Sequence, residues 1–145
     1  MAFTGDFLCS TFKQEILEAE HNFTTTTGDT MNMALYDNTA TLTAATTIYT
    51  TSGELAASGN YATKGQALTN VTPTLTGTTG ITDFVDEVWS TATFTAYGAL
   101  VFNEDHASDA AVIVLDFGGA KTATAGDFTV QFPAADASNA IIRIA

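Results

Sequence analysis

The sequence predicts a mainly β protein: an antiparallel β-sandwich or flattened barrel with one short N-terminal α-helix. Three observations predict it. Charged residues make up only 14% of the 145 residues, against about 25% in an average soluble domain. Threonine supplies much of the missing polarity, and a β-branched side chain suits pleated, half-solvated surfaces better than helix interiors. Apolar residues after position 30 mostly alternate with period two or run apolar over strand lengths. Finally, a single segment has helical spacing, so parallel β-α-β winding is not expected. The length suits one domain, 1–145.

The elements follow in order. Residues 1–8 read as an extended arm, because Phe3, Phe7 and Leu8 have no evident place in the sheet pattern. Residues 10–23, STFKQEILEAEHNF, read as an amphipathic helix. Thr11 and Gln14 have capping-box spacing, and Phe12, Ile16, Ala19 and Phe23 recur at helical intervals with Leu17 beside them. The strand at 30–36 puts Met31, Met33 and Leu35 on one face. The middle, 38–82, is weakly patterned and reads as short strands joined by surface loops, with Pro73 confining its segment to an edge. Segment 91–102 alternates at first and then becomes apolar on both faces, a strand half-exposed at its start and enclosed at its end. AAVIVLDF (110–117) reads as a central strand. GGAKTATAGD reads as a turn, 127–132 as a strand with Phe128, Val130 and Phe132 inward, and 140–144 as the last strand.

The net charge is −12. Such a surface repels phosphate, so nucleic acid is not an expected partner. Cys9 is the only cysteine, which excludes an intrachain disulfide and a CxxC metal site. The first residues lack the basic and apolar regions of a secretory signal. No apolar run reaches the ~20 residues of a membrane span, so neither export nor a membrane partner is expected, and assembly in a cytoplasm is.

One stretch concentrates ionisable side chains. FNEDHASDA (102–110) holds Glu104, Asp105, His106 and Asp109. The glycine and alternating oxygens of a calcium loop are missing, and His106 lacks further zinc ligands, since His21 is expected far off in the helix. Flanked by two strands, the stretch reads as a hairpin connection whose charges keep an outward tip wet. Replacing those four residues with serine is then expected to leave folding nearly unchanged. Asp86 and Glu87 read as an acidic edge that discourages sheet-to-sheet pairing, and Trp89 as core. There is no GxSxG nucleophile motif, and the sequons NFT (22–24) and NVT (70–72) carry little weight without a secretion signal. No catalytic, cofactor or metal site is expected, and no enzyme activity.

FLCSTFKQEILEAEHNF, MNMALYDNTATLTAATTIYTTSGEL, ALTNVTPTLTGTTGITDFVDEVWSTATFTAYGALVFN and VLDFGGAKTATAGDFTVQFPAADASNAIIRIA together resemble a family of small virion structural proteins of tailed bacteriophages. The resemblance covers nearly the whole chain and lies in texture and order rather than in a catalytic motif. EDHASD, after GALVFN, occupies a connection that varies in that family. The resemblance implies a virion component, foremost a capsid decoration (cement) protein. Such a protein would bind the major capsid protein on the outer shell as a symmetric homo-oligomer, with a trimer expected. A tail or head–tail part is the alternative. The expected contact elements are the arm, with Phe3, Phe7 and Leu8, and the helix face of Phe12, Ile16 and Leu17. A different alternative is a carbohydrate-binding sandwich on the virion, using exposed Tyr36, Tyr49, Tyr61 or Tyr97.

Overall fold

Strands form where the alternating and apolar runs lie. The computed structural model describes residues 3–145; Met1 and Ala2, the start of the expected arm, lie outside the described residues. In chain order the elements are β1 (Phe7–Leu8), α1 (Ser10–Glu15), β2 (Met31–Tyr36), β3 (Gln66–Ala67), β4 (Asn70–Thr76), β5 (Thr79–Phe84), β6 (Glu87–Asn103), β7 (Ala110–Val130) and β8 (Ile142–Ile144). They make two antiparallel sheets, one of five strands in the order β1-β7-β6-β2-β3 and one of three in the order β4-β5-β8. The fold is mainly β with one short helix, as the periodicity predicts. A single core cluster joins Phe84 and Ile142 of the smaller sheet to Trp89, Leu100 and Val114 of the larger.

The β6–β7 hairpin is the spine. Its inner half, Gly98–Asn103 against Ala110–Leu115, is buried on both faces, with β2 pairing along one edge and β1 along the other. Its outer half alternates, with Trp89, Ala92 and Ala96 inward and Ser90, Thr91 and Thr93 in solvent. The change from alternating to continuous apolar sequence marks where the sheet becomes enclosed. Pro73 falls at a bulge of β4, an edge strand, where a missing N–H breaks no ladder.

Three expectations need correction. GGAKTATAGD does not end a strand. Gly118 and Gly119 take left-handed φ of 70° and 128° and kink the chain, but pairing to β6 resumes at Ala96↔Lys121 and continues to Glu87↔Val130. The glycines therefore make a bulge inside a 21-residue strand.

The helix is also shorter than 10–23. It covers Ser10–Glu15, and no side chain caps its start, at Cys9. Gln14 bonds to Glu18 instead of reaching back. Past Glu15 the chain closes a Schellman turn. Ala19 sits at φ 62°, Glu20 N–H donates to Glu15 C=O at 3.0 Å and Ala19 N–H to Ile16 C=O at 3.4 Å. Phe23 reaches the core from the loop beyond.

The arm has a place in the sheet after all. Phe7 pairs with Val114 and Leu8 with Ile113. The Phe3 ring lies over Gly98, so close that a Cβ there would come within 2.4 Å of it. Phe3 and Phe12 are core residues, and Phe7, Leu8 and Ile16 are half-buried against that core. Burying a phenylalanine stabilises by about 1.5–3 kcal/mol, so these rings are held by their own chain. Of the six expected contact residues only Leu17 stands in solvent, 86% exposed. Among the described residues no helix is long and apolar enough to cross a membrane.

Candidate functional site

The hairpin connection at 104–109 is confirmed by the pairing of Asn103 with Ala110, but it is no free tip. Asp105 Oδ2 accepts from Thr30 N–H at 2.6 Å. Glu104 Oε2 accepts from the Asn32 amide at 2.9 Å. Lys64 Nζ lies 2.9 Å from Asp109 and 3.6 Å from Glu104, and the hydrogen bond it donates to Asp109 holds the lysine above its ordinary pKa. The connection is thus tied to the start of β2 and to the loop before β3.

Asn103, at the end of β6, is the hub. Its side-chain oxygen accepts from the N–H groups of Asp105 and His106 at 3.0 and 3.2 Å. Its amide nitrogen donates to Asp29 Oδ2 at 2.7 Å and to His21 Nδ1 at 3.1 Å. Two backbone donors on one side and a carboxylate on the other leave the amide a single orientation. Nδ1 of His21 is therefore the acceptor, and Nε2 carries the proton that goes to Glu15 Oε2 at 2.9 Å. The His21 side chain is wholly buried.

His21 is not remote from His106, as a long helix would make it. The Schellman turn folds it back, and the two rings stack with centroids 6.0 Å apart. His106 Nε2 lies 3.4 Å from Glu20 Oε2, and its Nδ1 lies 3.0 Å from Ser108 Oγ. Serine, imidazole and carboxylate thus stand in the order of a hydrolytic relay. Here, however, Ser108 N–H also points at Nδ1, at 3.3 Å, which is a local turn closing on its own histidine. A cleft of about 930 Å³ opens elsewhere, beside the outer half of β7 and Asn139–Ile141. Among the described residues no three His, Cys, Asp or Glu side chains gather into a metal-binding group. The hydrogen bonds of this arrangement tie the connection to the start of β2, to the turn after α1 and to the loop before β3.

A second cluster does the same. Glu54 Oε1 accepts from the Tyr61 hydroxyl and from Lys64 N–H, both at 2.7 Å, and Oε2 accepts from the Tyr49 hydroxyl at 2.5 Å. Tyr36 donates to Thr50 C=O at 2.7 Å. Burial, with Glu54 adding to it, pushes all three phenols above their ordinary range. This corrects the expectation of exposed tyrosines. Tyr36 and Tyr61 are buried and Tyr49 is half-buried, each with its hydroxyl turned inward, and Tyr97 packs partly against the core.

Asp86, just before β6, and Glu87, its first residue, are tied down by hydrogen bonds rather than left free to guard an edge. Asp86 accepts from Phe132 N–H at 2.8 Å, and Glu87 accepts from the Gln66 amide at 2.9 Å. Asp83 accepts from Phe84 and Ile141 N–H. Burial raises the pKa of both Asp83 and Glu87. Trp89 is core, as expected.

Sequence reasoning missed Asn103 and Glu54 as hubs. A lone Asn closing an apolar strand was the available signal for the first; Glu54, inside a Ser-Gly turn, offered none. Searches against protein-family models, curated proteins and solved structures find no match to this chain.

Proposed function

We propose that this chain is a virion structural protein, a decoration (cement) protein that binds the outer shell of a tailed-phage capsid as a symmetric oligomer, and that it is not an enzyme. The observation that carries this reading is where the surface stays apolar. Leu17, Leu75 and Ile144 project into solvent at 86%, 75% and 61% exposure, while the titratable clusters are spent on internal ties. Leu75 and Ile144 flank Gly80 on one row of the smaller sheet, and exposed apolar side chains grouped on an acidic, threonine-rich surface are suited to contact with another protein. Oligomer symmetry multiplies each small contact, so a weak site per subunit suffices for firm attachment. The shell-facing element is now the Leu17 corner rather than the arm, whose phenylalanines are occupied. The resemblance to small phage virion proteins points the same way.

The test is addition of purified protein to bare shells of the parent phage. Co-sedimentation and a higher shell disruption temperature are expected. Protein that stays in the supernatant at every ratio removes the reading. Leu17→Asp should weaken attachment without lowering the protein's own melting temperature.

A further inference from the structure

The smaller sheet ends in a seat for one side chain that the fold itself leaves empty. Leu75 pairs with Gly80, and Gly80 with Ile144, so the three share a face. Along their strands that face also carries Thr82 and Ile142, which are buried. At the Leu75 row it runs out past the core. Leu75 and Ile144 stand two strand spacings apart, about 10 Å, with glycine between them.

Among the described residues nothing calls for that glycine. Gly80 is not among the residues with positive φ. A Cβ built on it would meet only the Ile144 carbonyl oxygen, at 3.8 Å, an ordinary contact. Glycine inside a strand weakens it, and besides bulges and bends it marks places where a ligand or another backbone comes close.

Charge says what comes close. From Gly65 to Thr82 the sequence has no ionisable side chain, in a chain of net charge −12. Two copies repel over most approaches, and the β4–β5 hairpin is a surface on which they can meet. The projecting Leu75 and the empty place over Gly80 lie side by side on one face. A two-fold axis then puts each leucine into the other's seat, which is the self-complementarity of an isologous contact.

We propose that a second copy of this chain docks on the Leu75–Gly80–Ile144 row, with Leu75 of each copy seated over Gly80 of the other and against Ile144. The proposal deepens the oligomeric part of the function proposed above and rests on it. It replaces the expected trimer with a two-fold pair, because a ring would need leucine and seat on separate surfaces. The row is small against the ~1,200 Å² of a firm interface, so the pair is weak and depends on concentration.

Sedimentation velocity over a concentration series tests it. Wild type is expected to pass from monomer to dimer. Gly80→Val fills the seat with a good strand former, and Leu75→Glu removes the exposed leucine. Each should weaken the dimer at least about tenfold with an unchanged melting temperature in dilute solution. A chain that stays monomeric throughout overturns the proposal, as does a dimer or trimer that Gly80→Val leaves intact. The same proteins are then added to bare shells. A dimer sensitive to Gly80→Val that ignores shells supports the pair and removes the cement reading, whereas shell binding by a chain indifferent to Gly80→Val removes the pair alone.

Discussion

Asn103 donates a hydrogen bond to His21, its amide nitrogen 3.1 Å from the ring Nδ1. Through this bond the end of the longest hairpin grips the turn after the helix, 82 residues earlier in the chain. Removing it should cost more than a single bond. Asn103→Ala also removes one of the two donors to Asp29 Oδ2 and the acceptor of two N–H groups beneath the connection. A loss of about 2–3 kcal/mol is expected. It should appear as a lower urea midpoint with an unchanged slope.

The charged connection carries stability as well. Serine at Glu104, Asp105, His106 and Asp109 together removes the acceptor for Thr30 N–H, the partner of Asn32 and both partners of Lys64. The exposed lysine pairs add little, but the Asp105 and Glu104 bonds bring the expected loss to about 2 kcal/mol. Circular-dichroism melts of the quadruple variant check this; an unchanged melting temperature would restore the picture of a free, wet tip.

Cys9 reports on opening. Its thiol is fully buried, and burial, with the Glu15 charge adding, pushes it from 9.0 to about 12. A thiol reagent at neutral pH should therefore label it only as fast as the N-terminal segment opens. Denaturant should accelerate labelling in step with unfolding. The sign of the alkaline effect follows from linkage: the folded state keeps its proton longer, so this stability is full below pH 9.0. It is lost as pH rises through about 12.

Glu54 should divide two substitutions. Glu54→Ala leaves two phenols and the Lys64 N–H without their acceptor, for about 2–3 kcal/mol. Glu54→Gln keeps one oxygen and offers a donor that a phenol oxygen can accept, for about 1 kcal/mol. Wild-type Tyr36, Tyr49 and Tyr61 lie above the ordinary 10.0. Spectrophotometric titration should find these three protonated until the fold gives way, and stability falling as pH rises above 10.0.

The β class, the enclosed half of the hairpin and the edge position of Pro73 were legible because each depends on local periodicity or on a missing donor. The helix end was not, because the apolar spacing of Ile16, Ala19 and Phe23 fits a helix as well as a Schellman turn that folds Phe23 back. Only packing on β7 decides between them. The candidate site was legible as composition but not as geometry: four ionisable residues were visible, while Asn32, Thr30 and Lys64, which satisfy them, lie scattered through the sequence.

By itself, then, the sequence determined what kinds of surface the chain must build: pleated, threonine-faced, acidic and short of helix. The tertiary structure decided where the polar groups are spent. A buried hydrogen bond such as Asn103 to His21 joins residues with no periodic relation, and its existence depends on two chain segments meeting. The same holds for Phe3, which reads as a loose arm until Gly98 supplies a bare place in the sheet where its ring lies.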